Sequence, residues 1–104
     1  MKCKSYNIFF ETIANKTRLN ILEILQKKPM SVTEICIELK EEQSKISHNL
    51  KCLISCHLLD VEKNGKQRIY SLNKDTMVPL MKLVEDHVTK YCCKECRSKD
   101  KGDL

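Results

Sequence analysis

At 104 residues, with 19 Lys and Arg against 14 Asp and Glu for a formal charge of +5, the chain has room for one domain and a modest core, burying roughly 60–70% of its unfolded surface. Two glycines and two prolines leave little room for loops and favour helices joined by short turns. A charged fraction of 32% with both signs interspersed excludes a chain of the disordered, single-sign kind.

In chain order, residues 4–14 carry Tyr6, Ile8, Phe9, Phe10 and Ile13 and read as a first helix. Residues 16–28 form a stronger one, with Leu19, Ile21, Leu22, Ile24 and Leu25 as its apolar stripe, Asn15 or Thr17 as its cap and Pro29 as its stop. Ser31-Val32-Thr33-Glu34 is a capping-box pattern and opens a short third helix running to about Leu39. A fourth follows over about residues 42–56. The period then shortens: residues 58–63 and 67–72 are β-type runs, and Asn64-Gly65 between them predicts a type I′ hairpin turn with positive φ at both. Residues 74–95 close the chain as a helix with Met77, Leu80, Met81, Val84, Val88 and Tyr91 at 3–4 spacing. The expected fold is mainly α with a small β-hairpin, a winged helix-turn-helix in the order ααααββα. The expected division is one domain over residues 1–96 and a flexible polar tail over 97–104.

At 100° per residue the fourth helix places Ile46, Leu50, Leu53 and His57 together on a core side. Ser44, Ser47, His48 and Lys51 fall opposite, short hydrogen-bonders plus a cation that suit base edges and phosphates in a major groove. Lys63, Lys66 and Arg68 surround the hairpin turn and make a cationic tip able to follow a phosphate backbone or enter a minor groove. The positive balance fits the same polyanionic partner, and fits simple solubility equally well. No apolar run approaches the roughly 18 residues of a membrane span, and residues 1–10 lack the apolar block of a secretory signal. The expectation is a cytoplasmic protein without a membrane partner.

Ala14-Asn15-Lys16-Thr17-Arg18-Leu19-Asn20-Ile21-Leu22 resembles the opening "A-x-x-T-R-L-x-I-L" of the ArsR/SmtB family. Gln43-Ser44-Lys45-Ile46-Ser47-His48-Asn49-Leu50-Lys51-Cys52-Leu53 resembles its recognition helix, and Gly65-Lys66-Gln67-Arg68-Ile69-Tyr70-Ser71-Leu72 its wing. The resemblance spans about residues 6–91. It implies a homodimer through the first and last helices, and repression of a double-stranded operator with release by an effector. By matching position it adds Gln43, Lys45 and Asn49 to the DNA-binding set.

Seven cysteines, an odd number without a secretory signal, point to thiol chemistry rather than a disulfide framework. Cys52 and Cys56 are one turn apart on the fourth helix, about 6 Å at Cβ, off both the core stripe and the Ser47/His48/Lys51 side. Two thiolates at that spacing can chelate a soft ion but leave its coordination incomplete. Cys92 and Cys96 share a face if the last helix persists, and Cys93 and Cys96 form a Cys-x-x-Cys. Cys92 also continues the Met77/Val84/Val88 stripe and can simply pack in a dimer.

A Cys-x-x-x-Cys on the recognition helix with a C-terminal cysteine resembles the cadmium/lead-sensing subgroup of the family. That resemblance implies a site of Cys52 and Cys56 with Cys92, Cys93 or Cys96 of the other subunit. No cofactor is obligatory; the effector expected is a soft metal or metalloid such as cadmium, lead, arsenite or zinc. The family's arsenic motif needs two cysteines where this chain has Ser31 and Thr33, and Asp86-His87 lacks the spacing of its zinc site. Cys36, on the Val32/Ile35/Leu39 side, reads as core. Cys3 is either a terminal thiol or an extra ligand.

Two alternatives stand beside this reading: a thiol-based redox or persulfide-responsive repressor, and a winged-helix protein-interaction module that never touches DNA. An enzyme is not expected, nor a small organic substrate. The chain has no Gly-rich phosphate loop, no Ser/His/Asp set at a recognisable strand-turn position, and a Cys-x-x-Cys without βαβ context.

Overall fold

The computed structural model describes residues 5–92. Cys3, Cys93, Cys96 and the expected tail over 97–104 lie outside the described residues; the last helix, expected to reach residue 95, ends at Tyr91, with Cys92 extended. The element order is α1 (Tyr6–Ile13), α2 (Lys16–Leu25), β1 (Met30–Ser31), α3 (Val32–Leu39), α4 (Gln43–Ser55), β2 (Leu59–Asn64), β3 (Gln67–Leu72) and α5 (Met77–Tyr91). The winged helix-turn-helix is therefore present, with α3 and α4 as the helix pair and β2–β3 as the wing. One element was not expected. β1 pairs antiparallel with β3, Met30 opposite Tyr70 and Ser31 opposite Ile69, so the wing is rooted in a three-stranded sheet of order β1-β3-β2.

The boundaries follow local chemistry. Asn15, rather than Thr17, caps α2, its side chain accepting from the Arg18 N–H at 3.1 Å. The helix ends at Leu25, before Pro29, because Gln26 and Lys27 donate to Glu23 and Ile24 in tightened i→i−3 bonds. Pro29 then holds Lys28 away from helix, and the released backbone pairs as β1. The Ser31–Glu34 capping box forms in both directions, with bonds of 3.2 and 2.9 Å. Its carboxyl is held below the ordinary carboxylate range, chiefly by the Ser31 backbone N–H. The last helix starts at Met77 rather than residue 74, which leaves Pro79 in the first turn where a missing N–H costs nothing. Asn73 instead folds residues 74–76 into a turn by accepting from the Asp75 and Thr76 N–H groups.

The wing turn also departs from expectation. Asn64 pairs with Gln67 across the strands, so Gly65 and Lys66 are the central residues. Only Gly65 has positive φ, +68°. That is the requirement of a turn with glycine first, not of type I′ with Asn64 inside it.

The core collects Ile21, Leu22 and Leu25 of α2, Ile35 of α3, Ile46, Leu50 and Leu53 of α4, Leu58, Leu59, Tyr70 and Leu72 at the wing base, and Met77 and Met81 of α5. Val32, Cys36 and Leu39 pack against it from α3, which places Cys36 at the core edge as expected.

Candidate nucleic-acid interface

Helix α4 presents its polar side outward because its apolar residues recur at the helical period. Ile46, Leu50 and Leu53 are fully buried, and Gln43, Ser44, Lys45, Ser47, His48 and Lys51 are exposed.

The wing completes this face. Lys63 lies directly opposite Arg68 in the β2–β3 ladder, and both are exposed, as is Lys66. Directly paired like charges repel in the free protein, a cost that a bound anion between them would remove. Val32, Ser47, Lys51, Ile54, Val61, Arg68 and Tyr70 line one cleft of about 420 Å³ between α4 and the wing. A second, of about 250 Å³, lies between the start of α3 and the wing tip, lined by Ser31, Thr33, Lys66, Gln67 and Arg68 among others. Arg68 belongs to both, so helix pair and wing form one continuous surface.

Thr33 and Gln67 were missed by the sequence reading. Both are exposed on this surface. The signal that could have found them is the extended Met30–Ser31 segment, whose pairing with β3 brings the first turn of α3 to the wing.

Asn49 is a correction. It is only 6% exposed, and both ends of its amide are used. Its Oδ1 accepts from Arg18 Nε at 2.9 Å, and its Nδ2 donates to the Lys45 carbonyl at 2.9 Å. It therefore holds α4 from behind rather than reading bases. Lys45 is exposed, with its ammonium 3.3 Å from Glu41, a pair worth little at the surface.

The end of α4 needs a second correction. His57 is exposed and has φ of +62°, so it leaves the core stripe. Cys56 takes an inward place, 7% exposed within the core cluster. The reason is that α4 ends at Ser55 with Cys56 as its cap, so the helical wheel no longer applies beyond Ser55. Cys52, one turn earlier, is half-buried, as is Cys92 at the end of α5, and the four described cysteines are free thiols. Among the described residues no three His, Cys, Asp or Glu side chains come together as a metal site. The donor type nevertheless suits a soft ion. Of the expected ligand set, Cys52 and Cys56 lie at the end of α4 and Cys92 just past α5, while Cys93 and Cys96 lie outside the described residues.

The sequence profile of the arsR family of bacterial regulatory proteins matches residues 15–61, the stretch from the α2 cap through β2. An uncharacterized HTH-type transcriptional regulator of Methanocaldococcus jannaschii is 33% identical over 78 residues, covering 74% of this chain and 88% of that protein. The chain belongs to the arsR family. As an ArsR-family member it is a DNA-binding transcriptional regulator and not an enzyme.

A transcriptional repressor SmtB homolog of Synechocystis is 29% identical over 80 residues, covering 77% of this chain, which spans 61% of that relative's length. The arsenical resistance operon repressor of Bacillus subtilis is 29% identical over 101 residues, covering 96% of this chain and 90% of that protein. Among solved structures, HlyU from Vibrio cholerae superimposes with a TM-score of 0.70 at 27% identity, covering 82% of this chain and 89% of HlyU. A homodimeric winged helix-turn-helix DNA-binding domain from Mycobacterium bovis gives 0.71 at 25% identity, covering 78% and 75%. The described residues contain no helix long and apolar enough to cross a membrane.

Proposed function

We propose that this ArsR-family protein represses by occupying an operator as a homodimer, and leaves it when a soft metal or metalloid ion is held by Cys52, Cys56 and a C-terminal cysteine of the partner subunit. The observation that carries the DNA-reading part is the continuous outward surface of α4 and the wing, where Ser47, Lys51 and Arg68 line one cleft. In this reading Gln43, Ser44, Ser47, His48 and Lys51 face the major groove, and Lys63, Lys66 and Arg68 follow the backbone.

Dimerisation is supported by the terminal helices. Tyr6 and Phe10 of α1 are 86% and 56% exposed, and Leu83, Val84, Val88 and Tyr91 of α5 are exposed as well. Apolar side chains in such number on two helices favour a partner surface, and the Mycobacterium bovis relative is described as homodimeric.

The ion response is supported by the thiol pair on α4 and by the arsenical repressor among the relatives. Burial of Cys56 gives the response a physical basis. To ligate an ion shared with the partner's tail, Cys56 must leave the core, which perturbs the last turn of α4. The ion-bound form then holds its two reading helices in a different relation, and half-sites one helical turn apart no longer match. By linkage, an ion that binds the free form more tightly weakens DNA binding by the same factor.

The test is titration of the reduced protein onto duplex DNA from upstream of its own coding sequence, with and without cadmium. Wild type is expected to bind and to be released by cadmium; a Cys52→Ser, Cys56→Ala variant is expected to bind and stay bound. Release that survives the double substitution moves the ion site elsewhere. Binding that ignores cadmium in the wild type removes the soft-ion reading and leaves the DNA reading standing.

A further inference from the structure

We infer that Arg18 and Asn49 form a positioning joint that sets the rotation of the DNA-reading helix, so that sequence discrimination depends on a pair that touches no base. The inference rests on the reading of α4 as the DNA-contacting helix. Arg18 sits in the first turn of α2, its own backbone N–H bonded to the Asn15 cap. Its guanidinium bridges two other helices. Nε donates to Asn49 Oδ1 at 2.9 Å, and the terminal nitrogen donates to the Thr12 carbonyl at 3.2 Å. Thr12, near the end of α1, is itself buried, and its hydroxyl donates to the Ile8 carbonyl at 2.7 Å. Asn49 passes the constraint on by donating to the Lys45 carbonyl one turn back in α4. One planar fork thus ties the end of α1, the start of α2 and the middle of α4.

The core fixes which side of α4 faces inward but sets its rotation less finely than a hydrogen-bonded contact does. Ile46, Leu50 and Leu53 hold α4 by apolar packing, which is non-directional. A hydrogen-bonded fork is directional, and it acts on the turn from Lys45 to Asn49, which carries Ser47 and His48. Hydrogen bonds to base edges tolerate only about 0.5 Å and 10–20° of misplacement, whereas phosphate attraction is long-ranged. Loosening the joint therefore removes sequence discrimination and spares non-specific binding. Because α1 also carries the exposed Tyr6 and Phe10, the same fork links the proposed dimer face to the reading helix.

The experiment measures affinity for the upstream duplex and for a scrambled duplex of equal length at one salt concentration, with thermal unfolding of each protein alongside. Asn49→Leu, which fills the same volume without an amide, is expected to lower upstream-duplex affinity by on the order of 10-fold, leaving scrambled-duplex affinity within about twofold. Arg18→Lys, which keeps the charge but not the fork, is expected to do the same in a folded protein. Asn49→Asp keeps the acceptor for Arg18 but loses the amide that donates to the Lys45 carbonyl, and is expected to discriminate less well than wild type. The inference is overturned if Asn49→Leu and Arg18→Lys discriminate as wild type does, or if both affinities fall together in step with the unfolding temperature. A wild type that does not distinguish the two duplexes refutes the DNA-reading assignment, and this inference with it.

Discussion

The two ends of α4 put the same helix to opposite uses. Its first half holds Ser44, Ser47 and His48 open to solvent, above Ile46 and Leu50 in the core. Its last turn blurs that division: Leu53 is still buried and Ser55 exposed, but Cys56 is also buried, Cys52 is half-buried, and the chain reverses at His57 through a left-handed residue. A regular helix can keep one face for the core and one for a partner over its whole length, but it surrenders that separation where it ends. The open half is suited to reading a ligand without changing shape. In the proposed ion response, the closing turn is the part that changes shape when its thiols are drawn away.

The largest expected effect separates the two faces of the open half. Leu50→Ala removes a fully buried side chain and is expected to cost about 2–5 kcal/mol of unfolding free energy. His48→Ala, two residues away on the outside, is expected to shift it by no more than about 0.5 kcal/mol while weakening operator binding. Chemical denaturation of both variants checks this directly.

The closing turn gives the next contrast. Cys56→Ser places a hydroxyl in the core and is expected to cost about 1–3 kcal/mol, more than Cys52→Ser at the half-buried position. Equal costs would mean that Cys56 is not held in the core in solution. Smaller again is the wing. Replacing Lys63, Lys66 or Arg68 singly by Ala is expected to weaken binding to all duplexes alike. Each replacement is also expected to reduce the salt slope by about 1 for every phosphate the wing no longer neutralises, measured as log affinity against log salt.

The smallest effect concerns α3, on which α4 rests. Hydrogen bonding from the Ser31 backbone lowers the Glu34 carboxyl below its ordinary value. Its ionised form therefore adds stability above the ordinary carboxylate range, and that increment is lost as pH falls through the lowered value. Glu34→Gln is expected to unfold at a lower temperature than wild type at neutral pH, with the gap closing on acidification.

What could be read from the residues alone was what repeats. The helical stripes, the capping box and the order of helix pair and hairpin are local patterns, and each stands within a few residues of its expected place. The outward set of α4 followed from the same period, since Ile46, Leu50 and Leu53 fix which side is in. Three features escaped because they are not periodic. β1 is two residues long and exists only by pairing with β3. Asn49 looks like any polar residue on the helix surface until Arg18, 31 positions earlier, is folded against it. Cys56 and His57 exchange places because the helix stops at Ser55, short of the two residues to which the wheel was extended.

The most direct test is the salt dependence of binding by the wild-type protein to duplex DNA from upstream of its own coding sequence. A polar helix face and a cationic wing seated on phosphates must displace counterions, so log affinity is expected to fall steeply and linearly with log salt, and to fall from a lower starting value when His48 and Lys51 are both Ala. No binding, or an affinity indifferent to salt and to those two substitutions, would contradict the assignment of this face to DNA.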